Sequence, residues 1–257
     1  MKLIELNGKP LSDGKVPLVC CPLVARTADD LLAEADRVIG RRPDILEWRV
    51  DFFAAIADTQ AVRATATRLR KLAGSLPVLF TCRSQREGGE PIALQEDGVV
   101  ALYEAICRDK TVDFVDFELA SQPAKLAAVR QFTRASGVQL VISYHNFQST
   151  PERGALVEKF VQAQRQGGDI AKVAVMPRSM RDVLTLLDAT LEASEKAQVP
   201  LISMSMGPLG ALTRMCGWAF GSALTFAVGA SSSAPGQMPV EDVRAGVALL
   251  QKAGLKA

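Results

Sequence analysis

Eight short apolar runs, each followed by a longer stretch of helical periodicity, constrain this chain more than any other feature of it. The runs cover residues 16–24, 45–52, 78–83, 114–119, 140–145, 170–176, 201–206 and 224–228. The helical stretches cover 28–39, 61–72, 98–108, 125–133, 156–164, 180–196, 209–220 and 240–252. Short apolar, β-branched runs bounded by turn residues read as strands, and strands alternating with helices read as βα units. A strand that is apolar on consecutive residues has both faces buried, the condition of a parallel sheet covered by helices. Eight such units in 257 residues fit a single α/β domain spanning 1–257, a (β/α)8 TIM barrel. An open doubly wound sheet is the competing arrangement, but no Gly-x-Gly-x-x-Gly follows the first run. Ahead of that run, the alternating stretch Leu3 to Leu6 and the pair Asn7-Gly8 predict a β-hairpin within residues 1–15 that closes the barrel bottom. Thr27 supplies a side-chain acceptor just before one helix, and Pro151 and Pro239 fall near the first turns of two others.

Thirty basic and twenty-eight acidic side chains leave a net charge of +2, without a basic block and with few aromatics. That balance carries no footprint of nucleic-acid binding. The five cysteines, Cys20, Cys21, Cys82, Cys107 and Cys216, lie mostly in apolar runs rather than at metal-ligand or disulfide spacings, and are expected to be reduced core residues. No apolar run approaches membrane-spanning length, and the first ten residues lack the apolar stretch of a signal peptide. The expectation is a soluble, cytoplasmic protein.

In a barrel of this kind chemistry sits at the carboxyl ends of the strands. Polar residues collect there: Glu47, Arg49 and Asp51 after the second run, Arg83 and Glu87 after the third, His145 at the end of the fifth and Lys172 inside the sixth. His145 is the only histidine, so any imidazole acid–base chemistry near neutral pH has one address. An amine inside a β run is desolvated, which favours its neutral, nucleophilic form. Taken singly, the bland alternatives are a satisfied core histidine and a lysine reaching out from a strand end. Glu47 and Arg49 stand two apart and share a strand face, suited either to binding hydroxyls or a carboxylate or to a single internal ion pair. Arg83 and Arg214 add planar donors for a carboxylate, and Glu87 is suited to orienting a histidine. Asp116 and Glu118 also share a face and are conceivable metal ligands, but no further ligand stands at a recognisable spacing. Residues 231–237, Ser-Ser-Ser-Ala-Pro-Gly-Gln, have the composition of a mobile lid, an anion-binding loop or a plain connector.

Six blocks in order, Glu47-Trp-Arg-Val-Asp51, Thr81-Cys-Arg-Ser-Gln-Arg-Glu-Gly-Gly-Glu90, Ser143-Tyr-His-Asn-Phe147, Asp169-Ile-Ala-Lys-Val-Ala-Val-Met-Pro177, Ser203-Met-Ser-Met-Gly207 and Ser233-Ala-Pro-Gly-Gln237, closely resemble the type I 3-dehydroquinases (type I 3-dehydroquinate dehydratases) over essentially the whole chain. The resemblance implies a (β/α)8 barrel, dimeric in many bacteria. It implies a lyase that dehydrates 3-dehydroquinate to 3-dehydroshikimate without metal or organic cofactor, in the shikimate pathway or in quinate breakdown. It makes Lys172 the Schiff-base lysine, His145 the general acid/base and Glu87 its partner. Glu47, Arg49, Arg83, Arg214, Ser233 and Gln237 become substrate-binding residues, with Met204, Met206, Phe226 and Ala234 as apolar walls. The partner it implies is a small carboxylate, with no nucleic acid and no membrane. Asn146 stands where many members carry aspartate, which leaves the local charge beside His145 open. Two rivals remain: a class I aldolase, which would break a carbon–carbon bond from the same lysine imine, and a non-catalytic barrel, against which an intact Lys172, His145 and Glu87 argue.

Overall fold

The computed structural model describes residues 1–255; residues 256–257, the last two of the span expected for the barrel, lie outside the described residues. A hairpin of β1 (Glu5–Leu6) and β2 (Lys9–Pro10) comes first. Its turn residues Asn7 and Gly8 have φ of 53° and 72°, the pair of left-handed conformations that matches strand twist and that Asn-Gly adopts cheaply. Eight parallel strands follow: β3 (Leu18–Leu23), β4 (Ile45–Arg49), β5 (Val78–Thr81), β6 (Phe114–Glu118), β7 (Gln139–Asn146), β8 (Ile170–Val175), β9 (Leu201–Ser205) and β10 (Leu224–Phe226). Each pairs with its sequence neighbour, and β10 pairs with β3. Helices α1 (Ala28–Ile39), α2 (Thr59–Ala73), α3 (Glu96–Asp109), α4 (Pro123–Ser136), α5 (Arg153–Arg165), α6 (Met180–Lys196), α7 (Ala211–Cys216) and α8 (Val240–Lys252) follow β3 to β10 in turn. The (β/α)8 barrel expected from the alternating runs is the fold observed.

Alternation along each strand sorts the residues into two cores. Outward residues such as Trp48, Phe80 and Phe117 pack beneath the helices, while inward Leu18, Ile45, Leu79, Phe114, Val141, Ile170, Ile202 and Leu224 fill the lower barrel. Ile4, 2% exposed, joins that inner cluster from the hairpin and plugs the bottom. Within the outer core runs an edge-to-face series of Phe53, Trp48, Phe80, Tyr103 and Phe117 with centroids 5.3–5.6 Å apart, each pair contributing about 1 kcal/mol beyond burial. Tyr103 ends the series usefully. Its hydroxyl accepts from Cys82 N and donates to Asp116 O, both at 2.7 Å, so α3 pins the upper ends of β5 and β6.

The barrel closes differently at its last seam. β9 and β10 share no ladder; Leu201 bridges Ser222, Ala223 N donates to Leu201 O, and Ser203 N donates to the Ser222 hydroxyl at 3.0 Å. The single helix expected over 209–220 is corrected here to a 3-10 turn at Pro208–Gly210, the short α7, and a second 3-10 turn at Gly217–Phe220. Gly210 lies against the Ser205 carbonyl, where a Cβ would overlap it, and that close approach sets the angle of the turn in place of a continuous helix. Thr27 caps α1 as its chemistry predicts.

Candidate active site

The inward positions one step above the apolar layer are Glu47, Thr81, Asp116, Ser143 and Lys172, and above them come Arg49, Arg83, Glu118 and His145. Two-residue alternation puts them inside; parallel register puts Ser143 beside Lys172 and His145 beside Ala174. The thirteen side chains singled out in the sequence line one cavity at this end, and Gly88, Phe147 and Ala174 complete it. Its free volume is about 40 Å³.

His145 Nδ1 lies 2.8 Å from Glu87 Oε2, and the same oxygen accepts from the His145 backbone N–H at 3.0 Å. One carboxylate oxygen thus orients the ring and leaves Nε2 for the cavity. Burial, then the charges of Arg83 and Lys172, hold the imidazole well below its ordinary value. Burial, then Glu118, pushes Glu87 up to about 8. Both shifts favour a neutral pair sharing one proton, the arrangement expected when an acid and a base are desolvated together.

Lys172, 5% exposed, does not sit among apolar groups as its strand neighbours suggest. Its Nζ donates to Asp116 Oδ2 at 2.9 Å, lies 4.0 Å from Glu47 Oε1, and faces the Phe226 ring at 4.5 Å. Period-two alternation explains the difference: Val173 and Ala171 turn outward to the helices, and Lys172 turns inward to the acids. Glu47 accepts from Thr81 Oγ1 at 2.9 Å.

The arginines divide by partner. Arg49 makes a two-pronged pair with Asp51, both contacts 2.8 Å, and reaches Ser233 O at 3.3 Å. The Glu47–Arg49 ion pair that their spacing allows is therefore corrected to Arg49–Asp51. Arg83 is enclosed by Asp116 at 2.8 Å, Glu118 at 3.2 Å and Ser143 Oγ at 2.9 Å, with Glu87 at 3.7 Å. Asp116 and Glu118, weighed in the sequence only as metal ligands, are instead the anionic partners of Arg83 and Lys172. Arg214, 1% exposed, has no carboxylate partner among the described residues. Its Nη1 and Nη2 donate to Phe226 O and Pro235 O, each at 3.2 Å, and its Nε has no partner among the described residues. Burial alone lowers it to about 10.

The 231–237 loop folds over the mouth. Gln237 Oε1 accepts from Ser233 N at 2.9 Å and its Nε2 donates to Ser233 Oγ at 3.2 Å. Gly236, at φ 76°, lies on the Gly207 backbone, where any Cβ would collide. Asn146 lies off the cavity; its Oδ1 accepts from Gln148 N and Ser149 N, so it caps the turn after β7 and leaves the charge around His145 to Glu87 and Arg83. Asp51, Asp116, Glu118 and Ser143 were given no such role from sequence. The available signal was their inward parity, shared with Arg49, Arg83, Lys172 and His145.

A sequence model described as Type I 3-dehydroquinase matches residues 19–253. The 3-dehydroquinate dehydratase of Albidiferax ferrireducens is 56% identical over 252 residues, 98% of this chain and 96% of that protein. That of Aromatoleum aromaticum is 48% identical over 249 residues, covering 97% and 96%. Among solved structures, the 3-dehydroquinate dehydratase of Geobacillus kaustophilus superposes with a TM-score of 0.93 at 50% identity, over 98% of this chain and 97% of that one. The type I enzyme of Clostridium difficile, carrying covalently modified comenic acid, also gives 0.93, at 35% identity over 98% and 99%.

Proposed function

The chain belongs to the type I 3-dehydroquinase family, and we propose that Lys172, His145 and Glu87 carry out the dehydration of 3-dehydroquinate to 3-dehydroshikimate. The reaction is that of a hydro-lyase working through a lysine Schiff base. Lys172 Nζ adds to the C3 ketone and water leaves, giving an iminium that acidifies the C2 proton. His145 Nε2 takes that proton, with Glu87 on Nδ1 balancing the imidazolium. The enamine expels the C1 hydroxyl, which receives the proton from His145, and water releases the product. The iminium is the electron sink, so the chemistry needs neither a metal nor an organic cofactor.

Arg214 carries the substrate carboxylate in this reading, because it is the cavity arginine whose charge no acid among the described residues offsets. Arg49 and Arg83 line the same cavity but are committed to Asp51, Asp116 and Glu118. Glu47, Ser233 and Gln237 face the hydroxyls, and Met204, Met206, Phe226 and Ala234 wall the ring. The domain is one barrel over 1–257, with residues 1–15 as its bottom closure. A carboxylate-specific lysine imine favours dehydration over the carbon–carbon cleavage of an aldolase. The step belongs to the shikimate pathway or to quinate breakdown. A cytoplasmic location fits the free cysteines, most of them buried, and among the described residues no helix is long and apolar enough to cross a membrane. A homodimer fits the apolar face of α6, where Met180, Leu184 and Leu191 are exposed.

The observation that carries the reading is a lysine and the only histidine on adjacent strands, each held by its own carboxylate. Borohydride reduction with 3-dehydroquinate tests it. Mass spectrometry should find the adduct on Lys172; Lys172→Ala should lose adduct and turnover, and His145→Ala should keep the adduct while losing turnover. An adduct on another lysine would reject the assignment.

A further inference from the structure

The reaction moves a single positive charge, and the cavity contains more anions than the general acid/base needs. Asp116, 1% exposed, is the acid in hydrogen-bond contact with Lys172 Nζ. Its other oxygen accepts from Ser143 Oγ at 2.6 Å and meets Arg83 Nη2 at 2.8 Å. Its backbone carbonyl accepts from the Tyr103 hydroxyl. Groups that take no part in the chemistry therefore fix this carboxylate in place, with one oxygen aimed at the reacting nitrogen.

We propose that Asp116 is the counter-ion of the Schiff-base nitrogen and keeps the imine protonated while His145 moves the protons; the role rests on the Schiff-base reading of Lys172. Charge balance supports it. Condensation turns an ammonium and a ketone into an iminium and water, so the nitrogen ends with the same single charge and one N–H for Asp116 Oδ2. When His145 takes the C2 proton, the C–H pair becomes the C2–C3 double bond and the C–N π pair moves onto nitrogen. The products are a neutral enamine and an imidazolium beside Glu87. As the C1 hydroxyl leaves with the imidazolium proton, the nitrogen pair re-forms the iminium at Asp116. The cation thus alternates between two carboxylates, and Arg83 touches both, Asp116 at 2.8 Å and Glu87 at 3.7 Å. Neither acid stands unpaired while the charge is at the other.

Asp116 is suited to remain ionised throughout. Burial pushes its carboxyl up, but Arg83 and then Lys172 outweigh burial and hold it below the usual carboxylate range. It stabilises the cation without competing for the proton. The other groups facing the nitrogen are Glu47 from β4, Arg83 after β5, Ser143 and His145 from β7, Cys20 from β3 and the Phe226 ring from β10; of these, Glu47 is the other acid and stands 4.0 Å away.

The test is the pH dependence of borohydride trapping with 3-dehydroquinate, together with steady-state kinetics. In Asp116→Asn the trapped fraction should fall off at least about one pH unit earlier than in the parent protein, a tenfold change in iminium protonation. Its kcat should drop about 10²-fold, the usual effect of removing one group that faces developing charge, with KM changed much less. Ser143→Ala, which loosens Asp116 without removing its charge, should lower kcat less and keep the parent trapping profile. Asp116→Glu, which keeps the charge, should also keep the profile, and it secures the test if the asparagine variant does not fold. Adduct in the parent with an unshifted profile in Asp116→Asn, or a shifted profile in Asp116→Glu, would overturn the counter-ion role alone. Absence of adduct in the parent would overturn the Schiff-base reading and this role with it.

Discussion

In the proposed mechanism, Glu87 controls when the histidine can act. A carboxyl raised to about 8 is mostly protonated at neutral pH, and it offsets an imidazolium only once ionised. A raised value on an acid moves ionisation to higher pH, so kcat/KM, which reports the free protein, should climb as pH rises toward about 8. Glu87→Gln should flatten that climb and lower the plateau; an unaltered profile would rule out the pairing as the source of the pH dependence. Much of this was legible in the residues. A lone imidazole, a lysine of inward parity and a glutamate directly before a Gly-Gly are all local facts. The partner of each charge was not legible. Whether Arg49 meets Glu47 or Asp51, and whether Asp116 meets a metal or an amine, depends on how neighbouring strands are staggered around the barrel, a non-local quantity that one strand's sequence does not contain.

Among the elements, the seam between β9 and β10 and the loop after β10 separate stability from function. The Ser222 hydroxyl takes the place of a ladder acceptor for Ser203 N. Ser222→Ala should leave that buried N–H unpaired and lower unfolding stability by about 1–3 kcal/mol in urea titrations, with KM near the parent value. Gln237 has the opposite signature. It ties the loop through Ser233, so Gln237→Ala should reduce kcat/KM roughly tenfold, about 1.4 kcal/mol of transition-state stabilisation, with little change in unfolding midpoint. Amide exchange of 231–237 that is equal with and without a substrate analogue would mark the loop as a connector only. The eight strands were readable because apolar alternation is a strong periodic signal. The segment after β9 departs from the continuous helix its leucine spacing predicts because Gly210 lies against the Ser205 carbonyl, a close backbone approach that spacing does not register.

At the scale of the whole molecule, α6 presents Leu184 at 60% exposure between Met180 and Leu191, an unusual cost for a surface helix unless a second copy covers it. Sedimentation equilibrium should give twice the chain mass, and Leu184→Glu should shift the population toward monomer; a monomeric parent would dispose of the homodimer.

The hairpin at the other end has a different consequence. With Ile4 seated in the lower barrel, the tube is blind-ended, and everything that reaches Lys172 must arrive and depart through one doorway. Substrate and product queue for the same opening, and the next substrate waits until the last product has gone. The free space left beneath the loop, about 40 Å³, is a small part of the roughly 300 Å³ of an ordinary ligand cleft, so a molecule of ordinary ligand size fits only once the loop over the mouth gives way. However fast the proton transfers become, traffic through that single opening sets the ceiling on throughput.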